Sequence, residues 1–126
     1  MAANRGQTMP ATSNGYLVRR VADAPTVPCP CGQSTRPLTA ADGAPCSLHV
    51  TAIRDSARHY HRETTEVYYI LDGRGKMELN GDWVELEPGT VIWIEPGTRH
   101  RLVSPDGVKT IVFSLPAFRP DDEHFD

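Results

Sequence analysis

Apolar and polar residues alternate along most of this chain, in short blocks. Cys46-Ser47-Leu48-His49-Val50-Thr51-Ala52-Ile53 places Leu48, Val50 and Ala52 on one face of a strand and His49, Thr51 and Ile53 on the other, because strand side chains change faces with period two. Glu66-Val67-Tyr68-Tyr69-Ile70-Leu71 is β-branched and aromatic and stops at Asp72-Gly73, which predicts a second strand bounded by a turn. Asp72-Gly73-Arg74-Gly75 predicts a hairpin into Lys76-Met77-Glu78-Leu79, and Asn80-Gly81 is the strongest short-range hairpin signal. Trp83-Val84-Glu85-Leu86 alternates again, and Glu87-Pro88-Gly89-Thr90 is a turn. Val91-Ile92-Trp93-Ile94 is continuously apolar, with Trp93 expected in the core. Two further strands are expected at His100-Arg101-Leu102-Val103 and from Val108 to Leu115. No stretch carries a helical period. Short strands at regular spacing predict an all-β sandwich or barrel.

The ends of the chain read differently. Residues 1–14 are small and polar and read as a disordered lead-in, which leaves 15–126 as a single domain. The length suits one core and has no room for a second. Tyr16-Leu17-Val18-Arg19-Arg20-Val21 is a strand candidate. Ala24 to Gly32 holds three prolines and a glycine, and predicts an extended loop. The tail from Pro116 to Asp126 is acidic and contains Phe118 and Phe125. It is expected to lie along the barrel or a partner subunit, with His124 solvated.

Charge and cysteine content narrow the function classes. The net charge is −3 with no basic block, which argues against nucleic acid. No apolar run is long enough to span a membrane, and Met1 to Thr8 lack the apolar segment of a secretory signal. A cytoplasmic protein is the expectation. Three cysteines are then expected as free thiols. Pro30 between Cys29 and Cys31 makes a bridge between them hard to close, and a packed loop is expected there.

The candidate chemistry centres on His59-Tyr60-His61. On a strand, His59 and His61 point the same way and Tyr60 the other. Glu66 opens the next strand, and a short connection carries it back beside the histidines. His100, at the end of Pro96-Gly97-Thr98-Arg99-His100, can supply a third imidazole. Imidazoles and a carboxylate converging on one point make a metal-ligand set. Among five histidines, a His-x-His pair alone says little, and it is the context that carries the reading. Tyr68 shares the face of Glu66 and is the candidate acid/base or supporting hydrogen-bond group. Arg99, beside His100, is the candidate contact for an anionic substrate. Arg36 faces either an anionic ligand or only water. His49 lacks a motif partner and is expected at the surface or hydrogen-bonded.

His59-x-His61-x4-Glu66-x6-Gly73 resembles the first motif of the cupin superfamily, and the run from Gly89 to His100 resembles the second. The likeness spans residues 46–115. Ile53 stands where the family usually has glycine, Glu95 where it has proline, and Ser104 where it has asparagine; none of these supplies a ligand. The resemblance implies a small single-domain metal-binding cupin, a double-stranded β-helix (jelly-roll) barrel. Its metal ligands would be His59, His61, Glu66 and His100, holding one divalent transition metal per chain: iron, manganese, nickel, zinc, cobalt or copper. A six-coordinate ion would leave two positions for water, substrate or dioxygen, whereas four-coordinate zinc would be closed and structural. The family implies a small-molecule enzyme, either dioxygenase or oxidase-like, or a lyase or isomerase. The alternative is a non-catalytic sugar- or metabolite-binding or sensing module. A homodimer is expected from the family, with residues 15–22 and the tail from Phe118 to Phe125 at the interface.

Overall fold

The computed structural model describes residues 15–29 and 31–126; the lead-in expected over 1–14 lies outside them. Among the described residues there are eight strands: β1 (Thr26–Cys29), β2 (Gly32–Leu38), β3 (Ser47–Asp55), β4 (Thr65–Asp72), β5 (Gly75–Leu79), β6 (Asp82–Leu86), β7 (Val91–Ile94) and β8 (His100–Leu115). Single 3-10 turns lie at Val21–Asp23, Ala40–Asp42 and Pro120–Asp122. All pairings are antiparallel, in the order β1-β2-β3-β8-β4-β7, with β5 between β8 and β6. This is a cupin-like, mostly β-stranded fold with the strand order of a double-stranded β-helix. The pairings form an open path, since β1 and β7 do not pair with each other. No described helix is long and apolar enough to cross a membrane.

The 16-residue β8 organises the whole. Its first residues, from His100 to Val103, pair with β5, and its later half lies between β3 and β4. Along β3 the partner jumps from Val108 to Val103 as the chain advances from Ile53 to Asp55. The intervening Ser104-Pro105-Asp106-Gly107 bulges, which is why the sequence reads as two strands where there is one. The predicted hairpin at Asp72-Gly73-Arg74-Gly75 is absent for the same reason: β4 and β5 pair with different parts of β8 and not with each other. A Cβ on Gly73 would lie 2.4 Å from the Gly107 carbonyl oxygen, and one on Gly75 would lie 2.6 Å from that of Val103. Close backbone approach fixes both glycines. The Asn80-Gly81 hairpin forms as expected, both residues having positive φ (51° and 95°) between β5 and β6.

Four other expectations are corrected. Tyr16 to Arg20 form no strand; they run as exposed chain into the first 3-10 turn, with no strand alongside to take their hydrogen bonds. The segment read as a proline-rich loop contains β1 and the start of β2, which pair with Cys29 opposite Gly32. Pro28 is tolerated because β1 is an edge strand with one neighbour. That tight reversal brings the Cys29 and Cys31 Cα atoms to 5.1 Å, and the two form a disulfide, within the span a bridge requires; only Cys46 is a free thiol. Trp93 is 67% exposed, because β7 is also an edge strand and only Ile92 and Ile94 face inward.

The interior is divided. Ile53, Ile70, Met77, Leu86, Leu102 and Val108 form an apolar end, each contributing roughly 1.5–3 kcal/mol by burial. Along the same inward faces the residues then turn polar: His49 and Thr51 on β3, Glu66 on β4, Thr110 and Ser114 on β8. The Thr51 and Thr110 hydroxyls bond each other across the strands. The site occupies this polar end.

Candidate metal centre

The four predicted ligands come together and are all buried. Glu66 reaches the interior from β4 and His100 from the start of β8. His59 and His61 are not on a regular strand, as had been expected. They lie on an extended segment held by isolated bridges, His59 to His100 and Tyr60 to His124. The His59–His100 bridge is reciprocal, at 3.1 and 2.9 Å, and puts two imidazoles side by side. One donor atom from each of the four residues falls within a group spanning no more than 4.8 Å.

The imidazoles are oriented from behind. His59 Nδ1 lies 2.8 Å from the Ala57 carbonyl, His61 Nδ1 2.9 Å from that of Asp122, and His100 Nδ1 2.9 Å from that of Thr98. A carbonyl only accepts, so each Nδ1 carries the proton and, in the neutral ring, each Nε2 presents a lone pair to the cluster. Glu66 Oε1 stands 3.3 Å from His61 Nε2 and 3.2 Å from His100 Nε2. These three atoms are buried without a hydrogen-bond partner. Three acceptors facing one another away from water repel unless a cation sits between them. The cluster can therefore coordinate a single divalent metal ion.

Burial, reinforced by neighbouring His100, lowers the His59 pKa to about 4, so this imidazole is neutral at pH 7. Burial works to raise the Glu66 pKa, but His100 and His61 outweigh it and hold the carboxyl well below its ordinary range. At His61 burial lowers the pKa, while Glu66 and the Asp122 carbonyl more than offset it.

The cluster opens onto a cavity of about 60 Å³ also lined by Arg36, His49, Tyr68, Phe118 and Glu123. Tyr68 is where its alternation placed it, with its ring 6.2 Å from that of His100. Burial, then the charges of Glu66 and Glu123, raise its pKa well above the usual tyrosine value. His49 is not at the surface: it is 8% exposed, packs edge-on against Phe118, and is held to about 4 by burial and by Arg36. Arg99 stands apart from the cavity. Its Nε and Nη2 hold Asp126 at 2.8 and 3.1 Å, and its guanidinium stacks 3.5 Å above the Tyr60 ring.

The tail supplies residues that the sequence does not reveal. The Asp122 carboxylate accepts hydrogen bonds from the backbone N–H groups of Arg62, Glu63 and Thr64 and from the Thr64 hydroxyl. The Asp122 carbonyl orients His61, and His124 exchanges two backbone hydrogen bonds with Tyr60. His124 is consequently a bridging residue, half-buried, rather than a solvated one. Between them, Glu123 carries its carboxylate to 3.7 Å from His59 Nε2. The only sequence signal was an acidic run, which ordinarily reads as a solvated tail.

The family model for the cupin domain matches residues 48–115, more than half of the chain, and the chain belongs to the cupin family. A crystal structure of a protein from Planctomyces limnophilus is similar at a TM-score of 0.80 and 35% identity, over 86% of this chain and 95% of that one. Ectoine synthase from P. lautus shares the fold at a TM-score of 0.72 and 19% identity, over 81% and 79% of the two chains. A glucose-6-phosphate isomerase of Thermococcus gammatolerans is 39% identical over 64 residues, 45% of this chain and 34% of the isomerase. The chain spans about half or less of the length of the curated relatives it matches.

Proposed function

We propose that this chain, read as one cupin domain over 15–126, is a mononuclear metal-dependent enzyme that moves protons on a small oxygen-bearing molecule, in the manner of an isomerase or lyase. The observation carrying this reading is that a metal-binding donor set, a buried tyrosine and a second carboxylate open onto one cavity. His59, His61, Glu66 and His100 would hold the ion; when bound, it supplies Lewis acidity to a substrate oxygen. Tyr68, kept protonated by its surroundings, is the group to donate a proton at its hydroxyl. Glu123, whose pKa is raised chiefly by burial and also by Glu66, is the group to accept one at its carboxylate. The local likeness to glucose-6-phosphate isomerase supports the isomerase side over the dioxygenase or oxidase side.

The test is reconstitution with iron(II), manganese, nickel, zinc, cobalt and copper, for the native chain and His61→Ala. Metal-dependent exchange of substrate C–H protons with D2O, lost in the variant, is the expected result. Metal-dependent oxygen consumption would instead establish the oxygenase reading. Small-molecule binding with neither would make this a binding or sensing cupin.

We also propose a homodimer. The outward face where β4, β7 and β8 adjoin exposes Tyr69 (41%), Val91 (62%), Trp93 (67%) and Leu115 (50%), an apolar surface suited to a second copy. Light scattering of the native chain should give twice the mass of Trp93→Glu.

A further inference from the structure

We propose that the cavity selects a small hydroxy-carboxylate, with Arg36 anchoring its carboxylate and Glu123 accepting a hydrogen bond from its hydroxyl. This rests on the metal-site reading above and specifies what that site would take.

Arg19, Arg58, Arg74, Arg99, Arg101 and Arg119 each have a carboxylate oxygen 2.7–3.1 Å away. Arg36, the arginine lining the metal cavity, has no such ion pair among the described residues. Its Nε donates to the Ser34 hydroxyl at 3.1 Å, and its guanidinium lies against the Phe118 ring, 5.3 Å from the centroid. These contacts fix the fork in place and leave its terminal nitrogens for another acceptor. With no carboxylate at ion-pair distance among the described residues, and Glu123 acting on it only across the cavity, this half-buried guanidinium suits a planar anion, which it can bind through two parallel hydrogen bonds.

Glu123 supplies the opposite sign. Its backbone is pinned on both sides, by Asp122 to residues 62–64 and by His124 to Tyr60. Its carboxylate, 3.7 Å from His59 Nε2, has no hydrogen-bond donor among the described residues. It repels a second carboxylate at the metal end and attracts a hydroxyl there. The cavity thus prefers a ligand with a carboxylate toward Arg36 and a hydroxyl toward Glu123. Its volume of about 60 Å³ restricts that ligand to a few non-hydrogen atoms.

The experiment titrates cobalt(II)-loaded full-length protein with lactate, glycolate, acetate, 1,2-propanediol and inorganic phosphate, reading the cobalt visible absorption and the dissociation constant by calorimetry. Lactate and glycolate should perturb the spectrum saturably and bind more tightly than acetate or the diol. Arg36→Met should weaken lactate about ten- to hundredfold with cobalt stoichiometry and melting temperature retained, and Arg36→Lys should recover part of the loss. Glu123→Gln should narrow the preference for lactate over acetate. Equal binding of lactate and the diol, phosphate binding more tightly than lactate, or indifference to Arg36→Met would overturn the inference. Cobalt uptake without any response to lactate would overturn it alone, whereas absence of cobalt uptake would overturn the metal reading as well.

Discussion

Asp122→Ala should both destabilise the fold and loosen the metal centre. The residue is 4% exposed, and its carboxylate takes three backbone N–H groups and one hydroxyl. Two of those donors, on the exposed Arg62 and Glu63, can turn to water when the carboxylate is removed. The other two belong to Thr64, which is 3% exposed, and its N–H and hydroxyl are left buried without a partner. At roughly 1–3 kcal/mol for each of the two stranded groups, the loss is about 2–6 kcal/mol. The backbone carbonyl of residue 122 orients His61 and survives the substitution, but the carboxylate that anchors the tail carrying it is gone; displacing such outer support costs about ten- to a hundredfold in metal affinity. Urea unfolding of the metal-free protein gives the first quantity, and competition with a chelating dye gives the second. Acid should mimic the mutation. Burial tends to raise the Asp122 pKa, but the hydrogen bonds from Arg62 and Thr64 hold it below the ordinary value. Its stabilisation is therefore complete above about pH 4 and disappears as pH falls through the lower folded-state pKa. A variant within 1 kcal/mol of the native chain and with unchanged metal affinity would show that the tail does not brace the site.

Other consequences follow from the same geometry. Glu66→Gln removes the only anionic ligand; metal content by mass spectrometry should fall well below one ion per chain, and native-level retention would contradict the donor set. His49 and His59 are both depressed to about 4, mainly by burial, while the unfolded chain protonates near pH 6.5. His61, whose pKa is raised, opposes these two, so metal-free protein should still lose stability as pH drops from about 6.5 to about 4, because with two groups against one the unfolded state binds more protons than the folded state; a flat melting temperature over that window would refute it. The Cys29–Cys31 bridge closes a very short loop, so reduction should cost no more than about 1.5 kcal/mol. A larger fall in calorimetric stability on adding a thiol would mean that the bridge supports more than its hairpin.

Much of this molecule was readable because its signals are local. Period-two alternation located β3, β4, β6 and the inward faces of Glu66 and Tyr68, and Asn80-Gly81 located the β5–β6 turn. Errors arose where a partner decides the outcome. Tyr16 to Val21 have strand composition but no neighbouring strand, and β1 forms despite Pro28 because β2 runs beside it. Trp93 sits in an apolar run whose burial depends on β7 lying at an edge. The bulge from Ser104 to Gly107 resembles a turn until β3 pairs on both sides of it. At the site, His59, His61, Glu66 and His100 were legible because they stand at the spacing of the two cupin motifs, even though His59 and His61 lie outside the regular strands. Asp122 and Glu123 were not, since an acidic tail becomes part of a cavity only when its backbone is captured by residues about sixty positions earlier.

That capture also explains how the fold carries a polar interior. Five charged or imidazole side chains, His49, His59, His61, Glu66 and His100, are removed from water at one end of the sheet assembly, and each is expensive there alone. The opposite end, packed with Ile53, Ile70, Met77 and Leu102, supplies the favourable burial. At the polar end the cost is contained by three backbone carbonyls behind the imidazoles and by a tail that is covalently distant but spatially adjacent. A bound cation would remove the remaining repulsion among the Nε2 atoms and Glu66. Metal should accordingly raise the melting temperature, and it should do so less in Asp122→Ala than in the native chain, because there the rings are no longer all held in the orientation that binding requires.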